Sequence, residues 1–180
     1  LNLEQQLARQ VGRLSMVSEV VSSLNKSTNV GSSLGEALEK LSTVLGTDAA
    51  VIWLPNLSEP GGEMFLAEQR GLPDPELATE ILAQVHCNDA WPEDGLRIHT
   101  ALVPGRLAAG PANALTVRLG RAGEDLGFLT VLKWSTSFGP VDGAILAAVG
   151  GDIGASLRNV RLLAEARRLA DRDPVTSLYN

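Results

Sequence analysis

The sequence predicts an α+β domain, an antiparallel sheet with helices against it and a longer helix at each end. Three observations predict it. Short β-branched or alternating runs occupy the middle of the chain, at residues 49–54, 63–70, 115–119 and 127–134. Helix-period segments precede, interrupt and follow them. The last two strands are separated only by a turn rich in Gly and charge, at residues 120–125, so they read as a hairpin.

The elements follow in order. Leu3, Leu7, Gln10, Leu14, Val17, Val21 and Leu24 recur at spacings of four and three, and six of these seven are apolar. That is the seam of a coiled coil with Gln10 as a polar interruption, expected to be shared with a second copy of the chain. Ser27, Thr28, Asn29 and Gly31 break this helix. Ser32 or Ser33 is expected to cap the next, with Glu36 completing a capping box from Ser33. Leu34, Leu38, Leu41 and Leu45 form its apolar face, and Gly46 its C-terminal cap.

Residues 49–54 read as a buried strand ended by Pro55, and residues 63–70 as a second strand closed by Gly71 and Pro73. Asp74 caps a helix with Leu77, Ile81, Leu82 and Val85 on its apolar side. Residues 87–110 read as loop with a short strand near 96–103. Leu115, Val117 and Leu119 alternate with Thr116 and Arg118, a half-buried strand. A long helix is expected from Val141 to about Asp171, with Ile145, Val149, Ile153, Val160 and Leu163 as one stripe. Gly150, Gly151 and Gly154 interrupt it, each costing about 1 kcal/mol against Ala. Their expected use is close approach to the sheet. They are not a dinucleotide fingerprint, because they neither follow a strand nor open a helix. Asp173-Pro174 ends the helix.

Composition narrows the function. The chain has 180 residues, 44% apolar and 20% charged, which suits one globular domain. Its net charge of −6 argues against a nucleic-acid partner. No apolar run is long enough for a membrane span, and the N-terminus lacks the pattern of a signal peptide. The single cysteine, Cys87, forbids an intrachain disulfide, and a cytoplasmic location is expected.

Gly127 to Val131, then Phe138, Ile145-Leu146 and the run Ile153 to Leu162 resemble the last strands and final helix of the GAF family. The helices before Ala49 and the strand carrying Ile52 and Trp53 resemble that family's start. The resemblance covers about residues 30–162 and implies a GAF/PAS-like antiparallel sheet with flanking helices, working as a sensory domain. Asp173-Pro174-Val175-Thr176-Ser177-Leu178-Tyr179-Asn180 is similar to the opening motif of GGDEF domains, commonly Asp-x-Leu-Thr-Gly-Leu-x-Asn. Val175 stands for Leu and Ser177 for Gly.

The resemblance implies a regulator of a bacterial diguanylate cyclase, an enzyme that joins two GTP with divalent metal; a ligand-free GAF dimerisation scaffold and a GAF sensor coupled to a different output domain are the alternatives. It divides the chain into a dimerisation helix (1–28), a GAF domain (29–162), a helical linker (163–172) and the start of a GGDEF domain (173–180). None of the cyclase's metal or nucleotide residues falls before Asn180. GTP and metal are therefore expected only beyond it, and this stretch is expected to be no enzyme.

Within the GAF-like part, the resemblance implies a small-molecule pocket between the sheet and the loops of residues 87–110. His86, Cys87, Trp91 and His99 are its candidate lining. Trp53 and Trp134 lie in strands and are expected in the core. No metal site is expected, because His86 and Cys87 are adjacent and diverge by about 100° on a helix. Phytochrome-like GAF domains place His after the bilin-bearing Cys, whereas His86 precedes Cys87. The Asn-Lys-x-Asp-Glu pattern of cyclic-GMP-binding GAF domains is absent, since Asn25-Lys26 leads to neither acid. Arg158, Arg161, Arg167, Arg168 and Arg172 read as a solvated helical face.

Overall fold

The computed structural model describes residues 30–56, 63–86, 91–92, 95–101, 112–120, 124 and 126–170, with the backbone alone for residues 30–33, 86, 97–101, 168 and 170. Its elements are α1 (Val30–Leu45), β1 (Ala49–Pro55), β2 (Met64–Arg70), α2 (Pro75–His86), β3 (Leu96–Ala101), β4 (Ala112–Arg118), β5 (Phe128–Lys133) and α3 (Pro140–Ala170). The N-terminal seam from Leu3 to Leu24 and residues 171–180 lie outside the described residues.

The strands form one sheet in the order β2-β1-β5-β4-β3, with every neighbouring pair antiparallel. The hairpin of β4 and β5 is as the alternation predicts. β5 lies at the centre, between β1 and β4, and β1 takes β2 on its other side, with a register shift between Ile52 and Trp53 against β2.

α1 follows its leucine spacing. Leu34, Leu38, Leu41 and Leu45 are all buried. Gly46 takes φ +60°, and the Thr47 N–H donates to the Ser42 carbonyl at 3.0 Å, the Schellman closure expected of a glycine there. The predicted start is corrected: the helix is already under way at Val30, so Gly31, Ser32 and Ser33 lie inside it. Gly and Ser are poor helix formers by less than about 1 kcal/mol each, less than the packing of one buried leucine returns.

Strands β1, β4 and β5 are largely buried on both faces, and alternation assigns their residues. Ala50, Ile52, Leu54, Leu115, Val117, Leu129 and Val131 pack with α1 and with Ile145, Leu146, Val149, Ile153 and Leu157 of α3. Ala49, Val51, Trp53, Ala112, Ala114, Phe128 and Leu132 pack with Leu77, Ala78, Ile81 and Val85 of α2. The expectation of a half-buried β4 therefore fails. Thr116 is 0% exposed because elements cover it on the face away from α1 and α3 as well. α2 starts as read: Asp74 Oδ1 accepts the Glu76 N–H at 2.9 Å.

α3 opens where Asp142 Oδ2 accepts the Gly139 N–H at 3.0 Å. Gly150 and Gly154 do allow close approach. A Cβ on Gly150 would meet Val117 Cγ1 at 2.6 Å, and one on Gly154 would meet the Gly120 nitrogen at 2.9 Å. Gly151 faces outward, with nothing within 4 Å of a Cβ. The predicted stripe ends early. Leu157 is buried, but Val160 is 38% and Leu163 60% exposed, because α3 has run past the sheet. Among the described residues no helix is long and apolar enough to cross a membrane.

Candidate ligand-binding face

The face of the sheet under α2 carries the unusual chemistry. Cross-strand register builds it in rows. Trp53 of β1 lies opposite Phe128 of β5, and Phe128 lies opposite Arg118 of β4, so the three share one row and one face. The next row holds Val51, Thr130 and Thr116.

A loop covers the first row. Trp91 stacks on Phe128, with ring centroids 5.1 Å apart and planes at 25°. The Arg118 guanidinium sits over the Trp91 ring, 5.4 Å from its centroid, within cation–π range. Backbone bonds fix this arrangement. Gly95, at φ +69°, donates its N–H to the Pro92 carbonyl, and the Arg118 N–H donates to the Gly95 carbonyl, both at 2.9 Å. The loop carrying Trp91 is thereby tied to the strand carrying Arg118.

Two buried donors on this row lack acceptors. Trp53 is 1% exposed, yet its Nε1 has no hydrogen-bond partner among the described residues, and neither has Arg118 Nε. A buried unpaired donor costs about 1–3 kcal/mol. On the same face Gln69 Oε1, opposite Val51 across the sheet edge, is also buried and unpaired. The hydroxyls of Thr116 and Thr130 instead meet each other at 2.8 Å, both fully buried. The face is therefore an aromatic-walled surface with donors directed by β1 and β4 and a satisfied hydroxyl pair beside them.

The sequence-predicted lining is partly placed by this geometry. Trp91 lies over Phe128, with the Arg118 guanidinium against its ring. His86 ends α2, and His99 lies opposite Ala114 in the β3–β4 ladder; the side chains of both fall outside the description. Cys87 lies outside the described residues altogether, as do Glu93 and Asp94. Among the described residues no group of three or more His, Cys, Asp or Glu could hold a metal ion. Sequence reasoning placed Trp53 in the core and did not single out Arg118, Phe128 or the threonine pair. The signal was present in the alternation of β4, which puts Thr116 and Arg118 on the face opposite Leu115 and Val117.

No protein-family model matches the sequence, and no curated protein does either. Solved structures do. The GAF domain of a protein described as a sensor histidine kinase from Pseudomonas syringae pv. tomato superposes with a TM-score of 0.67 at 18% identity, over 94% of this chain and 100% of that one.

The chain has the GAF fold.

Another GAF domain, from a Coxiella burnetii phosphoenolpyruvate-protein phosphotransferase, gives 0.65 at 16% identity, over 85% of this chain and 96% of that one. The free methionine-R-sulfoxide reductase of Neisseria meningitidis, solved with its substrate, gives 0.61 at 16% identity, over 84% of this chain and 91% of that one. These likenesses establish the GAF fold and leave the signal and the output to be argued from this chain's residues.

The other end of the GAF fold also bears on function. Past Arg158, the described side chains of α3 leave the domain surface. Leu162, Leu163 and Leu169 are 56%, 60% and 63% exposed, an apolar stripe on a helix with no partner element among the described residues. Leu162, Ala166 and Leu169 recur at spacings of four and three, with Asn159 one step earlier in the same register.

Proposed function

We propose that this chain is the regulatory sensory module of a bacterial diguanylate cyclase, controlling cyclic di-GMP synthesis by rearranging a homodimer through its helices. The observation that carries the reading is the run Asp173 to Asn180, similar to the opening of a GGDEF domain and placed directly after α3. Solved neighbours of this fold come from a sensor kinase and a phosphotransferase, so the fold alone does not select an output. The motif does.

Two cyclase domains must face each other to join two GTP, so the register of the helix pair leading to them can set activity. The Leu162–Ala166–Leu169 seam supplies that pair, and an Asn at the preceding seam position fixes register in parallel coiled coils. The N-terminal seam from Leu3 to Leu24 would extend the stalk at the other end. A ligand acts on such a device only through unequal affinity for its two registers. The module itself performs no chemistry in this reading and works in the cytoplasm, where GTP is available.

The test is cyclic di-GMP production by the full-length protein supplied with GTP and magnesium, compared with a Leu162→Glu/Leu169→Glu variant. Product formation that falls at least about tenfold in the variant, together with a dimer-to-monomer change in light scattering, is the expected result. A full-length protein that makes no cyclic di-GMP, or makes it equally well as a monomer, would sink the reading.

A further inference from the structure

We propose that the row Trp53–Phe128–Arg118, beneath Trp91, binds a small organic carboxylate with a flat apolar body. The inference rests on the sensory reading only in taking this face as the place where a signal arrives.

Three independent features point to that chemistry. The first is the pair of unmet donors. Trp53 Nε1 can only donate, and Arg118 Nε can only donate; both atoms are buried with no acceptor among the described residues. Their complement is a ligand bearing acceptors. The second is charge. No carboxylate pairs with Arg118 among the described residues, and the positive guanidinium lies against an aromatic wall. A planar guanidinium fork is matched by a planar carboxylate through two parallel bonds. The third is shape. Trp91 and Phe128 already stack with their planes at 25°, and flat apolar surface is what such rings accept.

Phosphate esters share the acceptor chemistry but fit less well. Phosphate sites rely on successive backbone N–H groups or a helix N-terminus, and the row is built instead from side chains of three strands. One cation suits one negative charge. The low local dielectric of a buried row strengthens that single contact.

The experiment titrates the purified 180-residue chain with sodium benzoate and sodium phenylacetate, with benzamide as the neutral isostere and with inorganic phosphate and AMP as the alternative anions. Two of the chain's three tryptophans belong to the site, so intrinsic fluorescence reports occupancy, and calorimetry checks it without an optical probe. Saturable binding of a carboxylate, at least roughly tenfold tighter than benzamide, is expected. Arg118→Gln should abolish that preference, Arg118→Lys should restore part of it, and Trp53→Phe should weaken binding by about fivefold while leaving the preference for charge. Circular dichroism and thermal midpoints confirm that each variant is folded.

Equal affinity for benzamide, binding unchanged in folded Arg118→Gln, saturation by phosphate or AMP alone, or no saturable binding into the millimolar range would each overturn the proposal. Failure here is separable from failure of the regulatory reading. A carboxylate that binds but leaves cyclic di-GMP output unchanged counts against sensing. A cyclase governed by the α3 leucines but indifferent to every carboxylate counts against this site.

Discussion

Arg158 on α3 holds Glu124, ahead of β5, through both carboxylate oxygens. Its Nη2 lies 2.6 Å from Oε2, and its Nε lies 3.1 and 3.2 Å from Oε1 and Oε2. The hydrogen bond to Glu124 raises the Arg158 pKa, against a smaller opposing effect of desolvation. One turn earlier on the helix, Gly154 sits against Gly120. Among the described residues, the Arg158–Glu124 pair lies where α3 leaves the domain for solvent, just beyond buried Leu157. Glu124→Gln should leave the fold intact and lower the thermal midpoint slightly. Amide exchange should rise at residues 155–162 and stay unchanged at residues 145–150. Equal exchange in both stretches would mean that the pair does not anchor the helix.

Glycine substitutions should separate by environment rather than by secondary structure. Gly127 has φ +114°, and a Cβ there would lie 2.1 Å from the Trp53 carbonyl oxygen, a backbone atom of the neighbouring strand β1. Gly127→Ala should cost about 3 kcal/mol or more, because strain and overlap act together. Gly151, in the same kind of helix as Gly154 but facing open space, should behave oppositely. Gly151→Ala is expected to stabilise by about 0.5–1 kcal/mol. Gly154→Ala should destabilise, since the Gly120 nitrogen cannot move aside cheaply. Urea unfolding of the three variants checks the order.

The same glycines show how far the sequence could be read. Their crowding in a helix signalled contact with the sheet, but only the packed structure separates Gly151 from its neighbours. Leucine spacing placed α1 and α2 correctly, because a one-sided apolar face has one way to bury. It misplaced the start of α1, where weak local preferences at Gly31, Ser32 and Ser33 yielded to packing. The stripe on α3 was followed too far, since period alone cannot say where the sheet ends. The ligand face was least legible. Trp91 could be suspected from its loop, whereas Arg118 and Trp53 become neighbours only through strand order, with β5 inserted between β1 and β4.

Asp152 gives a pH dependence of known sign. Desolvation raises its pKa above the ordinary 3.8. The folded chain therefore holds this proton more tightly than the unfolded chain. The resulting stability is greatest below the unfolded pKa and is lost as pH rises through the folded value. Ionising this carboxyl therefore costs more in the folded chain than in the unfolded one. Asp152→Asn should thus raise the thermal midpoint at pH 7 modestly, and the advantage should shrink as the pH is lowered through the carboxylate range. An advantage that grows on acidification would reverse the assignment.

Lys133 and Asp142 form the buried ion pair that joins the end of β5 to the start of α3. Nζ and Oδ2 are 3.3 Å apart, and each side chain is only 10% exposed. Each partner has a second role. Asp142 accepts the Gly139 N–H at the helix start, and Lys133 lies 4.7 Å from the Phe138 ring centroid. Removing one charge leaves the other uncompensated in a dry site, so Lys133→Met should cost about 3–5 kcal/mol. Asp142→Asn keeps an acceptor for Gly139 and exchanges the carboxylate for a neutral amide, so Lys133 is left alone. The double variant Lys133→Met/Asp142→Asn removes both charges while the cap survives, and its cost should fall well below the sum of the singles. A coupling of at least about 1 kcal/mol in that cycle, measured by urea unfolding, is the expected signature of a desolvated pair. Additive losses would mean that water reaches the site and that the apolar packing of the Lys133 stem, rather than its charge, holds the helix start to the sheet.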